Sequence, residues 1–223
     1  HVSLVAIPDA VISTLSGIYD VLGCFRMMAG IEPSIPDEPP FVVEIVSTSR
    51  GSVLLASGVP VEARRAVAEV DATDIIIVPS VLLGAEGWKT GRYPELVAWA
   101  ARMHDRGALL CSACSGVFLL AETGLFDGQP TTVHWGYAEA FAKVFPRVPL
   151  QPDRVLIVAG EREQLITSGA SMTPSRRSAW IAPVTQGLKP SSTKPAGVLR
   201  AESAGLPKCR RLVVRCEIPT VAK

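Results

Sequence analysis

The sequence lacks the features that would place it in several specialised classes of protein. No apolar run reaches the roughly 18 residues that a membrane-spanning helix needs. The opening segment HVSLVAIPDA has neither a basic stretch nor a small-residue cleavage site, so no signal peptide is predicted. The chain has only three histidines and an odd number of cysteines, five, without disulfide-framework or metal-ligand spacing. We therefore expect a cytoplasmic protein without membrane contact, metal or cofactor.

The composition is that of a globular chain with an uneven distribution of charge. Hydrophobic residues make up 48% of the 223 residues and charged residues 19%, which favours a packed domain over disorder. Residues 1–172 carry 12 Lys and Arg against 19 Asp and Glu, whereas residues 173–223 carry 10 against 2. The second segment is also rich in Pro, Ser and Arg. We predict a domain over residues 1–172 and a basic tail over 173–223.

Short apolar runs alternate with amphipathic segments along the first 172 residues. Strands are predicted at residues 2–7, 42–47, 74–79, 108–113, 155–159 and 164–169, with a hairpin at 52–63. Helices are predicted at residues 10–30, 94–106, 115–123 and 137–145. This order of strands and helices predicts an α/β fold with a doubly wound, mostly parallel sheet and helices on both faces.

Cys114 lies where a predicted strand passes into a predicted helix. Ligands of such sheets bind at the carboxyl ends of the strands, and Cys114 has Ser112 two residues before it and Gly116 two residues after it. Small residues at these positions are typical of a nucleophile elbow, because the turn is sharp. A helix beginning at Ser115 would favour the thiolate and could hold an oxyanion with its N–H groups. His134 would then act as the base or orienting partner.

Two other interpretations of this stretch stay open. Many strand–turn–helix units place small residues at the turn, and a buried cysteine is an ordinary core residue. Cys111 and Cys114 also form a C-x-x-C pattern, which is a weak signal for a redox pair. Because Cys111 lies inside the apolar strand, we expect it to face the sheet rather than a ligand.

Three stretches of the chain carry a family resemblance: DIIIVPS, then ALLCSACSGVFLLAETGLFDGQPTTVHWGYAEAFAKVFPRV, then LITSGASM. Together they resemble the ThiJ/PfpI superfamily. This superfamily has the class I glutamine-amidotransferase-like fold. More narrowly, the chain is similar to the N-terminal domain of GlxA-type regulators in the AraC family, and the resemblance covers residues 1 to about 172. It implies a flavodoxin-like sheet with a nucleophile elbow.

The resemblance assigns site residues one by one. It places Cys114 as the elbow cysteine and His134 as its histidine, and these are the candidate catalytic residues. Ser80 and Val81 stand where many members have a glycine pair that helps to form an oxyanion pocket. The position of a carboxylate found in many members is occupied by Thr14. The predicted ligand-binding residues are Ser80, Val81, Ser115, Gly116, Thr14 and Trp135. The loss of the carboxylate and the glycine pair favours ligand sensing over catalysis.

The resemblance also implies partners. Regulators of this type continue into a DNA-binding domain with two helix-turn-helix motifs, whereas residues 173–223 here shift abruptly to Arg, Pro and Ser. We expect a frame-shifted tail and a sensor domain truncated before its DNA-binding half, with an unknown small-molecule ligand and a homodimeric state. A natural basic tail that binds nucleic acid is an alternative. The alternative function is a cysteine-dependent enzyme: an isonitrile hydratase, an amidase-like hydrolase or a glyoxalase-type enzyme.

Overall fold

The fold was analysed in a computed structural model, which describes residues 1–28, 31, 35, 38–169, 201–202 and 213–214. The chain divides into two compact units, His1–Ser178 and Ala179–Lys223. In the second unit the described residues form a short antiparallel pair of strands, Ala201–Glu202 with Val213–Val214. The predicted boundary at residue 172 and the rest of the predicted tail lie outside the described residues.

The first unit contains nine strands and five α-helices in its described part. The strands are β1 (Val2–Val5), β2 (Val43–Ser47), β3 (Gly51–Leu54), β4 (Pro60–Ala63), β5 (Arg65–Ala66), β6 (Ile75–Val78), β7 (Leu109–Ala113), β8 (Leu156–Ala159) and β9 (Leu165–Ser168). The helices are α1 (Ile12–Gly23), α2 (Phe25–Met28), α3 (Pro94–Asp105), α4 (Val117–Ala121) and α5 (Ala138–Val144). No helix in the described ranges is long and apolar enough to cross a membrane.

Seven strands form one sheet in the order β5-β2-β1-β6-β7-β9-β8. Every neighbouring pair in it is parallel except β8 and β9, which form an antiparallel hairpin. Strands β3 and β4 pair separately as the predicted hairpin. This confirms the predicted flavodoxin-like α/β fold with a mostly parallel sheet, and each predicted strand contains an observed one.

Two predicted helices are shorter in the structure than in the sequence-based prediction. The first was expected to run to Gly30, but α1 ends at Gly23 and the four-residue α2 follows. The helix expected over residues 115–123 begins as a 3-10 turn, Cys114–Gly116, and its α-helical part covers only Val117–Ala121. Hydrophobic spacing alone cannot separate a 3-10 turn from an α-helix over so few residues.

Helices cover the two faces of the sheet unequally. The connections β1–β2 and β6–β7 step in opposite directions across the sheet, and right-handed crossovers therefore place α1 and α3 on opposite faces. On the α3 face the strand side chains are buried beneath α3 and α4, with Trp99 of α3 fully enclosed. On the opposite face, the side chains of Leu156 and Val158 in β8 are 58% and 47% exposed. The edge of the sheet at β8 is thus apolar and open to solvent.

Candidate functional site

Cys114 occupies the turn that joins β7 to the helical segment after it. Its φ of +55° lies in the left-handed region, which is uncommon for any residue other than glycine. The described residues record only one other non-glycine residue in this region, Glu163 in the β8–β9 turn. Backbone strain of this kind persists only where the surrounding structure enforces it. The backbone at Cys114 is therefore constrained by its surroundings.

Gly116 shows why the turn needs small residues. A Cβ atom at this position would lie 2.4 Å from the carbonyl oxygen of Val78 and 2.5 Å from that of Pro79. Both oxygens belong to the backbone at the end of β6, so neither moves easily. Gly116 thus allows the helix start to pack directly on the carboxyl end of β6. The close approach of this helix start to β6 is sufficient to require glycine at position 116, and no ligand contact is needed to explain it.

Ser115 connects this turn to the loop after β6. Its hydroxyl donates a hydrogen bond to the Val81 carbonyl at 2.6 Å and accepts one from the Val81 N–H at 2.9 Å. Both residues are almost completely buried. The N–H of Val81 therefore already has an acceptor and is not a free oxyanion donor. Ser80, also buried, accepts a backbone hydrogen bond from Val11 at 2.8 Å.

His134 is held in a defined orientation at the start of another 3-10 turn, Trp135–Tyr137. Its Nδ1 accepts a hydrogen bond from the Gly136 N–H at 3.0 Å. Its ring stacks on Trp135 with 5.0 Å between centroids and lies 5.8 Å from the ring of Tyr137. With Nδ1 acting as acceptor, the neutral imidazole carries its proton on Nε2. The side chain of Trp135 is 39% exposed and presents an aromatic surface to solvent.

The topology brings His134 to the same edge of the sheet as Cys114. Ala113, the residue before Cys114, pairs with Ser168 at the end of β9. Gly169 follows Ser168, and a Cβ on it would lie 3.0 Å from the Val133 carbonyl oxygen. Val133 directly precedes His134. Within the described part of the chain, however, Sγ of Cys114 makes no hydrogen bond to His134 or to any other residue.

In the described structure, the first turn of α1 does not supply the carboxylate that the resemblance implies beside the cysteine. Thr14 lies in the first turn of α1 and is partly buried, and that turn contains no acidic residue. Asp9 is engaged elsewhere: it accepts a hydrogen bond from the Tyr93 hydroxyl at 2.7 Å and pairs with Arg92 at 2.7 Å. Asp20, further along α1, is exposed. The described structure therefore provides neither Asp9 nor Asp20 as a substitute.

Sequence reasoning did not find the cluster of Asp9, Arg92 and Tyr93. Arg92 also lies over the Tyr93 ring, 5.1 Å from its centroid. Burial of Tyr93, together with its hydrogen bond to Asp9, raises the pKa of the phenol well above its usual value. The cluster ties the loop after β1 to the start of α3. No local pattern could have indicated it, because Asp9 lies more than 80 residues from Arg92 and Tyr93.

Cys111 is a partly buried residue of β7. It lies within β7 between Ile77 of β6 and Ile166 of β9. Burial raises the pKa of its thiol to about 12, so it carries almost no thiolate at neutral pH. Cys111 and Cys114 are both free thiols. This environment disfavours the redox-pair interpretation, in which a low thiol pKa is needed. No cluster of three metal-ligating side chains occurs among the described residues.

Comparison with known proteins gives consistent matches. The sequence model of the DJ-1/PfpI family matches residues 37–173, more than half of the chain. The HTH-type transcriptional regulator CdhR of Pseudomonas aeruginosa is 30% identical over 104 residues, which are 47% of this chain and 30% of that protein. The chain thus matches less than a third of the length of this relative.

Two solved structures share the fold at low sequence identity. An AraC family transcriptional regulator from Pseudomonas putida superposes with a TM-score of 0.57 and 17% identity, covering 75% of this chain and 82% of that one. A candidate transcriptional regulator from Vibrio parahaemolyticus superposes with a TM-score of 0.60 and 19% identity, covering 75% and 83%. These likenesses concern the fold alone.

Proposed function

Because this chain belongs to the DJ-1/PfpI family, we propose that residues 1–172 form the ligand-sensing domain of an AraC-type transcriptional regulator. CdhR is a helix-turn-helix regulator, and one of the solved structures that share the fold is an AraC family regulator. The ligand is a small molecule that binds at the carboxyl ends of β6, β7 and β9. DNA contact belongs to another part of such a regulator.

The bond between Ser115 and Val81 is the observation that carries this proposal. Acyl-transfer and hydration chemistry at a cysteine requires donors aimed at the developing negative charge. Here the Val81 N–H is satisfied by a buried hydroxyl. Cys114 lies in a strained turn, and the first turn of α1 contains no carboxylate. With one oxyanion donor occupied as well, the cysteine is suited to contact a ligand without converting it.

The proposed binding surface consists of Cys114, His134, Trp135 and Thr14. Cys114 is partly exposed, and Thr14 is partly buried at the start of α1. The exposed face of Trp135 offers an apolar and aromatic contact beside the imidazole of His134. Aromatic surfaces with a few polar groups nearby are typical of small-molecule sites. The predicted homodimer stays a prediction, which sedimentation analysis of the full chain would check.

A metabolite screen by thermal shift tests the proposal on the full chain. We expect a compound that raises the melting temperature of the wild type but not of Trp135→Ala. Trp99→Phe, a substitution in the buried core away from this edge, is the matched control and should keep the ligand-induced shift. A compound that stabilises the Trp135→Ala variant equally would not bind at this edge.

The cysteine-dependent enzyme remains the second candidate, and the positive φ of Cys114 favours it. Incubation with an isonitrile, a primary amide and a 2-oxoaldehyde separates the two functions. We expect no turnover above that of Cys114→Ala for any of the three. Turnover that disappears in Cys114→Ala would support the enzyme and contradict the sensor.

A further inference from the structure

A separate cavity lies at the opposite edge of the sheet from Cys114. It has a volume of about 170 Å³ and is bounded by the end of α3, the loop at Leu125 and Gln129, and the turn between β8 and β9. Leu165, the first residue of β9, lines it. Because β7 and β9 are parallel, the start of β9 is far from the carboxyl edge that carries Cys114.

Hydrogen bonds hold the walls of this cavity in place. The side-chain oxygen of Gln129 accepts a hydrogen bond from the Gly160 N–H at 3.2 Å. The side-chain nitrogen of the buried Gln164 donates to the Ala108 carbonyl at 3.2 Å. Both bonds join segments distant in sequence. The cavity is therefore preformed, which lowers the entropic cost of binding.

The lining of the cavity combines an apolar floor with a charged rim. Leu165 is buried and Leu125 is partly buried, and both belong to or pack against the core. Glu161 and Arg162 are consecutive, exposed and of opposite charge. In the described ranges neither of them has an ion-pair partner. Their two charges are thus available to a molecule that enters the cavity.

His104, near the end of α3, lines the same wall. Its Nδ1 is buried and makes no hydrogen bond within the described residues, and the nearest carboxylate oxygen, of Asp105, lies 3.9 Å away. Because Nδ1 has essentially no accessible surface, it is closed to a molecule in the cavity.

We propose that this cavity binds a small zwitterion, namely a free α-amino acid with a short aliphatic side chain. Arg162 pairs with its carboxylate and Glu161 with its ammonium group, while the side chain packs on Leu125 and Leu165. The volume is below the range of about 300–1,000 Å³ that holds drug-sized ligands, which limits the occupant to a molecule of this size. This site is independent of the function proposed at Cys114.

Calorimetric titration of the full chain with L-valine tests the proposal. We expect saturable binding at millimolar concentrations, weakened about tenfold or more in Arg162→Gln and in Glu161→Gln, because each loses a charged hydrogen-bonding partner. Both side chains are exposed, and circular dichroism should show that both variants fold. Arg102→Gln, which changes an exposed arginine of α3 that does not line the cavity, is the matched control and should bind as the wild type does.

Two analogues separate the contributions of the two charges. Isovalerate lacks the ammonium group and isobutylamine lacks the carboxylate, and each should bind about tenfold or more weakly than L-valine. Equal binding of isovalerate would indicate a simple anion site and overturn the zwitterion assignment. Absence of saturation, or binding unchanged in Arg162→Gln, would overturn the site. Binding lost only in Trp135→Ala would place the ligand at the Cys114 edge instead.

Discussion

Replacing Gly116 by alanine tests how tightly the turn at Cys114 packs on β6. The new Cβ would lie 2.4 and 2.5 Å from two backbone carbonyl oxygens, about 1 Å closer than ordinary van der Waals contact allows. Relief requires a shift of either the carboxyl end of β6 or the helix start. Overpacking in a closely packed core destabilises by about 1–3 kcal/mol and occasionally more. Because backbone atoms rather than flexible side chains are in the way, we expect the upper part of that range.

A small opposing effect must be subtracted from this value. Alanine reduces the conformational freedom of the unfolded chain relative to glycine, which stabilises by about 0.4–1 kcal/mol where the native geometry is compatible. The net destabilisation expected for Gly116→Ala is therefore about 2 kcal/mol. With a urea m-value of about 1–3 kcal/mol/M, the midpoint of unfolding should fall by roughly 1 M.

Gly17→Ala is the matched control. Gly17 lies in α1, has an ordinary helical φ, and a Cβ on it would have no neighbour within 4 Å. The same substitution there should stabilise the protein by about 0.5–1 kcal/mol. Urea unfolding followed by circular dichroism measures both variants. A Gly116→Ala variant as stable as the wild type would refute the close approach of the helix start to β6.

Three further predictions concern Cys114, Cys111 and Ser115. Limiting iodoacetamide should label Cys114 before Cys111, because burial raises the Cys111 pKa to about 12. Mass-spectrometric mapping of the labelled peptides checks this order. Labelling of Cys111 first would contradict the prediction. Stability should fall as the pH rises above about 9, since the unfolded thiol then loses its proton while native Cys111 keeps it. Denaturant titrations of the wild type and Cys111→Ala between pH 7 and 10 measure this slope, which should be shallower in the variant. Ser115→Ala leaves the buried Val81 N–H without a partner and should destabilise the folded protein by about 1–3 kcal/mol. The control Ser115→Thr keeps a hydroxyl at this position. Equal stability of Ser115→Ala and the wild type would argue against the Ser115–Val81 hydrogen bonds.

The amino-acid sequence determined the class of fold and the position of the cysteine turn. Buried strands such as DIIIVPS and amphipathic segments such as the one that forms α3 carry their periodicity locally, and local periodicity is what a sequence displays directly. The small residues around Cys114 likewise reflect a local requirement of the backbone, which the φ of Cys114 and the close approach at Gly116 make explicit. The family resemblance rested on the same stretch.

The state of the candidate site was decided only by the tertiary structure. Ser115 satisfies the Val81 N–H across 34 residues of chain, and Asp9 is engaged by Tyr93 across 84. Neither contact has a periodic or local signature, so the sequence indicated neither the partner of Val81 nor that of Asp9. The cavity beside Gln129 and Gln164 is likewise formed by segments that meet only in the folded protein. Strands and turns follow from interactions between neighbours in the chain, whereas the hydrogen-bonding state of a buried group depends on whichever distant residue the fold places next to it.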